Sequence, residues 1–219
     1  LTAEGMARAW GQVAHVTQFD KADVTRLNRW LDEAGRDAAK NEVKLTITAV
    51  IMKVAAMALQ KFPRFNASID PQANRLIYKK YVHLGMAVDT PRGLLVPVLR
   101  DADRKGILEI AGEIADLAER TRKKKIKPDE LEGGTFTISN QGGIGGTDFT
   151  PIVYWPQVAI LGVSRASVEP RYIDGEFQPR TILPLSLSYD HRANDGADAA
   201  RFLRWVAEAL ESPFLLQFD

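Results

Sequence analysis

The residues best placed to do chemistry lie in Ser186-Leu187-Ser188-Tyr189-Asp190-His191-Arg192-Ala193-Asn194-Asp195-Gly196. Imidazole has an ordinary pKa of ~6.5, so it can take and return a proton near neutral pH. His191 has two carboxylates close in sequence, Asp190 beside it and Asp195 four residues on. Upstream, Ile182, Leu183, Leu185, Leu187 and Tyr189 form an apolar, alternating run that reads as a buried strand. Downstream, residues 197–211 carry Ala199, Leu203, Val206 and Leu210 on one stripe of an amphipathic helix. A corner between a strand and a helix can hold a side chain in one pose, which acid–base catalysis requires. The plain alternative is that Asp195-Gly196 ends the turn and caps the helix, with His191 an incidental polar residue. Taken alone, a histidine near an aspartate does not decide between the two.

The elements that must position this corner come from an ordinary globular composition. The 219 residues are 45% hydrophobic and 26% charged, enough for one substantial core. With 29 basic against 28 acidic residues the net charge is +1, which calls for neither nucleic acid nor an anionic membrane. The absence of cysteine removes disulfides, thiolate metal sites and cysteine nucleophiles together. The most apolar stretch, Leu45 to Leu59, is broken by Thr46, Thr48 and Lys53 and falls short of the ~18 residues of a membrane span. No signal peptide stands at the start. A chain beginning at Leu1 rather than Met reads as a piece of something longer.

Residues 1–12 suggest a short basic helix end, and residues 13–24, with the β-rich run His15-Val16-Thr17-Gln18-Phe19, a long strand. Asp20-Lys21-Ala22 has the look of a lipoyl attachment triplet, but it falls inside that strand rather than at a hairpin tip. Thr25 is placed to cap a helix striped by Leu27, Leu31, Ala34 and Ala38, which Gly35 weakens without ending. Leu45 to Gln60 is apolar almost all round, the mark of a helix buried on most faces, and Pro63 stops it. A meander of short strands is expected next: 66–70, 75–78 and 81–88, with a turn at 71–74. Thr90-Pro91-Arg92-Gly93 turns into Leu94–Leu99. Ile107, Ile110, Ile114, Leu117 and Ala118 stripe a further helix, whose basic end, residues 122–125, reads as a solvated face that complements the helix dipole. Residues 128–132 suggest one helical turn. Residues 133–140 form a strand ending at Ser139-Asn140, ahead of the glycine-rich run 141–147, which matches neither a dinucleotide fingerprint nor a P-loop. A fully apolar strand at 158–163 precedes a hairpin of 168–173 with 177–182 across Asp174-Gly175. One α+β domain over residues 1–219, with a large mixed sheet flanked by helices, is the simplest account.

These stretches taken together resemble a known family. His191-Arg192-Ala193-Asn194-Asp195-Gly196 matches the His-x-x-x-Asp-Gly signature of the chloramphenicol acetyltransferase-like acyltransferases. The whole chain resembles the catalytic core of the dihydrolipoyl acyltransferase component of 2-oxo acid dehydrogenase complexes, most closely the acetyl-transferring pyruvate dehydrogenase branch. The supporting stretches, in order, are His15–Asp20, Pro63-Arg64-Phe65-Asn66, Lys79-Lys80-Tyr81-Val82-His83, Ala87–Leu94, Thr135–Asn140 and Val158–Val163. The resemblance implies a chloramphenicol acetyltransferase-like fold and a homotrimer with its active site in a channel between subunits. Coenzyme A or acetyl-CoA and dihydrolipoamide would be the substrates, entering from opposite ends, with no metal. It implies His191 as general base, Ser139 of the facing subunit as hydroxyl donor to the oxyanion, and Asp195 as a structural carboxylate supporting the histidine corner. An arginine near the domain start often pairs with that carboxylate; the position falls before residue 1, which leaves Arg8 as the available substitute. A lipoyl group would sit on a separate upstream domain. The partners would be lipoyl domains, the decarboxylase and dihydrolipoamide dehydrogenase components, in the cytoplasm of a bacterium or the matrix of a mitochondrion. The apolar tail, Phe214–Phe218, would dock on a neighbouring trimer to build a hollow core of on the order of 24 subunits.

The chemistry is coherent. A CoA thiol is only slightly ionised at neutral pH, so a base must take its proton as it attacks a thioester. One hydroxyl donor to the resulting oxyanion is commonly worth ~3 kcal/mol. Without the resemblance, Ser139 reads as a turn residue, and His15 and His83 read as strand histidines with structural roles. Lys79 and Lys80 read as edge protection, with a CoA phosphate as the alternative. Three further functions stay open: a free-standing O-acetyltransferase acting on a small alcohol, a branched-chain or succinyl acyltransferase core, and a non-catalytic scaffold that keeps the fold for assembly.

Overall fold

The computed structural model describes residues 2–39, 43–91 and 93–212. Helix α1 (Thr2–Gln12) leads into β1 (His15–Asp23) and α2 (Thr25–Ala39), which runs through Gly35. Thr25 is the first helical residue rather than its cap. The Asp23 carboxylate accepts from the Thr25 N–H (3.0 Å) and hydroxyl (2.6 Å) and from Arg180 Nε (2.6 Å). The Thr25 oxygen in turn accepts from the Thr181 N–H (2.8 Å). In α3 (Ile47–Lys61) Thr46 is the cap, and ten of the 15 residues are buried, so the helix meets protein on most faces. Phe62-Pro63 ends it, and a one-turn helix follows at Pro63–Phe65.

The expected meander breaks after two strands. β2 (Ala67–Asp70) and β3 (Arg75–Tyr78) form a separate hairpin. The run 81–88 yields β4 (Leu84–Met86), which joins the main sheet, and β5 (Val88–Thr90), which pairs with β6 (Gly93–Leu95). Burial decides this: β4 is buried at all three residues, and the largely exposed β3 has no second covered face to offer it. β7 (Val98–Leu99), α4 (Ile107–Arg122), β8 (Phe136–Asn140), β9 (Ala159–Val163), β10 (Ser167–Ile173), β11 (Glu176–Asp190) and α5 (Gly196–Glu211) complete the order.

Among the described residues the main sheet has seven strands, in the order β1-β11-β9-β8-β4-β7, with β10 also on β11. β4, β8 and β9 run parallel and the others antiparallel. The two strand segments expected either side of Ile182 are one strand, β11. Ile182 pairs with Asp23 of β1 on one side and Ser167 of β10 on the other. Beyond it the β10–β11 hairpin stands as a two-stranded arm. Its turn, Asp174-Gly175, has φ of 52° and 91°, the left-handed pair that a tight hairpin of this type requires.

Side chains alternate across the sheet. Leu183, Leu185, Leu187 and Tyr189 face α3 and α5 in one core with Leu161, Ile138 and Leu84. Pro184, Ser186, Ser188 and Asp190 face the other way, where Ile160 packs with Val13, Val153 and Trp155. Gly162 sits in the middle of that second face, opposite Ser139 and Ser186. The tail from 213 onward and the Arg8 side chain lie outside the described residues, as do Arg92 and the Ala38 side chain. Among the described residues no helix is long and apolar enough to cross a membrane.

A Cβ at Gly162 would meet the Ser186 hydroxyl and lie 2.8 Å from the Phe149 ring. Gly162→Ala is therefore expected to destabilise the fold by ~1–3 kcal/mol. Gly35→Ala, in open space within α2, is expected to stabilise it by ~0.5–1 kcal/mol. Urea midpoints of the two variants check this; an unchanged midpoint for Gly162→Ala would mean that the Phe149 segment yields at no cost.

Candidate active site

β11 delivers the histidine corner and α5 closes it. Asp190 is the last strand residue, 2% exposed, and its N–H donates to the Val158 carbonyl at 2.8 Å. Its own carbonyl accepts from the Ala193 (2.9 Å) and Asn194 (3.1 Å) N–H groups, which turns the chain. The His191 N–H donates to Ala14 O at 2.9 Å, tying the corner to the start of β1. The imidazole is exposed, with the Tyr189 ring centroid 6.0 Å from its own. Neither ring nitrogen has a hydrogen-bond partner among the described residues.

The flanking residues are held hard. The Asp190 carboxylate accepts from the Arg192 N–H (3.0 Å), from Nε (2.9 and 3.2 Å) and from Nη2 (2.6 Å). Arg192 Nη2 also donates to Gln12 O at the end of α1. Hydrogen bonding to Asp190 raises the Arg192 pKa above its ordinary value. From the other side, Arg64 donates through Nε (3.1 Å) and Nη2 (2.6 Å) to Ala193 O, and its Nη1 lies 3.6 Å from Asp198. Arg64 is thus a second arginine at the corner, while the side chain of Arg8 lies outside the described residues.

Asp195 is the N-cap of α5: Oδ1 accepts from the Asp198 N–H at 2.8 Å. That bond, with help from the Ala197 N–H and the charges of Arg64 and Arg201, holds its carboxyl below the usual carboxylate range. The carboxylate makes no hydrogen bond to the His191 ring. Burial and the nearby Asp195 charge push the Tyr189 phenol up.

Ser139 lies near the end of β8, half-buried, and its hydroxyl has no partner among the described residues. It does not meet His191 within the chain. Ser139 pairs with Gly162 of β9, while Tyr189 of β11 pairs with Ala159. β8 and β11 run in opposite senses, so their C-terminal ends lie at opposite edges of the sheet. About five residues along the strands and two strands across put their Cα atoms roughly 19 Å apart. A cleft of about 290 Å³ opens beneath the histidine corner, bounded by Gln12, Trp155, Gln157, Asp190 and Arg192. Another of about 390 Å³ lies at the serine end, bounded by Thr48, Met86, Arg122, Asn140 and Ile144.

The other histidines are structural. His15 Nδ1 donates to Val13 O and Nε2 accepts from the Val153 N–H, both at 3.0 Å. His83 Nδ1 accepts from the Asp101 N–H at 3.0 Å. Among the described residues no group of three or more His, Asp or Glu side chains converges as metal ligands would. Sequence reasoning passed over Arg64 and the Asp190–Arg192 pair as parts of the site. The signals were there, in an arginine after the proline that ends α3 and in opposite charges flanking the histidine.

The mixed sheet with helices on one face has the fold of chloramphenicol acetyltransferase, a solved structure of which matches over 94% of each chain with a TM-score of 0.63 at 15% identity. The sequence match is narrower. Residues 1–217 fit the model of the 2-oxoacid dehydrogenases acyltransferase (catalytic domain), and the chain belongs to that family. The dihydrolipoyllysine-residue acetyltransferase component of the pyruvate dehydrogenase complex of Pseudomonas aeruginosa is 52% identical over 208 residues, 95% of this chain and 38% of the relative. Its Azotobacter vinelandii counterpart is 51% identical over 210 residues, 96% of this chain and 33% of the relative. The chain thus spans well under half the length of these relatives. An Azotobacter vinelandii dihydrolipoamide acetyltransferase, studied for the role of a serine, a histidine and an asparagine in its catalytic mechanism, superposes with a TM-score of 0.96 at 49% identity, covering 99% of this chain and 89% of that one. The cubic core of a pyruvate dehydrogenase multienzyme complex superposes equally well, with the same identity and coverage.

The lowered pKa of Asp195 has a definite sign. Its contribution is present above the unfolded carboxylate value of ~3.9 and is lost as the pH falls through the lower folded value. Asp195→Ala is expected to lower the unfolding midpoint at neutral pH and to converge with the parent as the pH falls through the lowered folded value. A gap that persists undiminished in acid would show that the charge on Asp195 is not what stabilises α5.

Proposed function

We propose that the protein transfers an acetyl group between dihydrolipoamide and coenzyme A as the catalytic core of a pyruvate dehydrogenase complex. The observation that carries this is a spacing. In the Azotobacter enzyme the serine stands 52 positions before the histidine and the asparagine four after it. Ser139, His191 and Asp195 stand at the same intervals, with aspartate in the third place.

The chemistry follows from the side chains. An imidazole nitrogen of His191 takes the proton of the CoA thiol as sulfur attacks the acetyl carbonyl carbon of S-acetyl-dihydrolipoamide. The carbonyl electron pair moves onto oxygen, and the Ser139 hydroxyl donates to that oxyanion. Collapse breaks the bond to the dihydrolipoamide sulfur, which leaves with the proton from the imidazolium. Asp195 acts at a distance, holding the first turn of α5 against the corner. Its replacement of an asparagine keeps an oxygen acceptor for the Asp198 N–H.

A backbone separation of roughly 19 Å keeps one chain's Ser139 and His191 from the same thioester and supports a site made by two copies, with His191 from one and Ser139 from the other. A homotrimer with a channel at each interface meets that need, and the match to a cubic core supports trimers joined into a larger shell. Lipoyl domains on the remainder of a longer chain, and the decarboxylase and dihydrolipoamide dehydrogenase components, complete the proposed partners, in the bacterial cytoplasm.

His191→Ala is expected to lower kcat for transfer to CoA by at least ~10²-fold. Ser139→Ala is expected to lower kcat by ~10²–10³-fold with KM for CoA little changed, because an oxyanion donor acts in the transition state. Mixed oligomers of the two inactive variants should regain part of the activity. Parental turnover in His191→Ala would remove the base from this scheme, and mixtures that stay inactive despite exchanging subunits would refute the shared site.

A further inference from the structure

We infer that Asp190 and Arg192 are positioning residues for His191, forming a clasp that sets the pose of the base from its two chain neighbours. This rests on the catalytic role proposed for His191. The clasp is local: the Asp190 carboxylate takes the Arg192 N–H and guanidinium, closing a three-residue ring with His191 at its apex. It is also anchored at both ends. Asp190 is almost wholly buried and paired into the sheet, opposite His15 in the register. Arg192 reaches on to Gln12 O, next to the Ala14 carbonyl that receives the His191 N–H.

The chemistry needs such a device. Among the described residues the ring of His191 has no hydrogen bond of its own, so none of them sets its direction through its nitrogens. Its pose is inherited from the backbone, and a base must meet its proton within hydrogen-bond reach. A guanidinium suits the task because its planar fork holds two directions at once. The fork binds the carboxylate, and the same Nη2 that completes it binds the carbonyl at the end of α1. A lysine brings the charge but only a point contact, and it leaves either Asp190 or Gln12 O less well held.

Arg192→Ala would strand a buried carboxylate and test folding instead, so Arg192→Lys is the variant to make, in the intact assembly. Expected are a kcat about 10-fold lower, KM for CoA and dihydrolipoamide within about two-fold of the parent, and an unchanged melting midpoint. With 13C-labelled histidine, the ring signal of His191, assigned with His191→Ala, should broaden or shift while those of His15 and His83 stay. A kcat within two-fold of the parent overturns the inference. So does a loss of kcat accompanied by a lower midpoint and movement of all three histidine signals, which is general loosening. A parent that transfers no acetyl group would sink the proposed function, and the histidine spectrum would then decide the clasp on its own.

Discussion

Strand β11 cannot slip by one residue. Its C-terminal half is buried on both faces and paired on both edges, with Leu183, Leu185, Leu187 and Tyr189 in the helix-side core and Pro184, Ser186, Ser188 and Asp190 opposite. A shift of one would drive serines and a carboxylate into the core and four large apolar side chains out of it. Every element of the site takes its coordinates from that register. It seats α5 against α3 and leaves room over Gly162 for the Ser186 hydroxyl and the Phe149 ring. It also brings the strand to its end with a carboxylate one residue short of the histidine.

That carboxylate is the polar group the corner has to accommodate. Burying an ionised group is costly unless it is paired and hydrogen-bonded. Among the described residues Asp190 meets the condition through Arg192, with a fork and a backbone N–H, and the pair lies at the edge of a cleft rather than deep in the core. On the far side Arg64 takes the Ala193 carbonyl, and Asp195 takes the N–H groups of α5. Each charged group around the histidine is thus committed to structure. Among the described residues the imidazole keeps both nitrogens open, a costly arrangement for a buried group but not for one that faces solvent or substrate.

Antiparallel pairing divides the proposed chemistry. Ser139 lies one residue before the end of β8 and His191 one residue past the end of β11, and because the strands run in opposite senses those ends face away from each other. Within one copy, then, the base and the oxyanion donor are each an unfinished half-site beside its own cleft. In the proposed scheme this geometry couples assembly to activity: an interface that united the two ends would also exclude water from them and strengthen every dipole acting on the oxyanion.

Much was legible in the residues. Periodicity located α3, α4 and α5, the Asp174-Gly175 hairpin and the buried strand before His191, because each is a local pattern of apolar spacing or turn chemistry that any packing must respect. The collinear stretches pointed to the family, and His191 stood out by type and place. What tertiary structure alone decided was which strand pairs with which and which group meets which. The run 81–88 looked like the next strand of a meander, yet β4 crosses into the main sheet, because strand pairing depends on burial of both faces rather than on adjacency. The helix cap at Asp195 was already one of the readings of Asp195-Gly196, whereas Arg64, over a hundred residues away in sequence, closes the corner in a way no local pattern announces. Ser139 and His191 sit at opposite ends of one sheet, which no spacing in the chain reveals, since strand direction is set by long-range hydrogen bonding and not by the residues themselves.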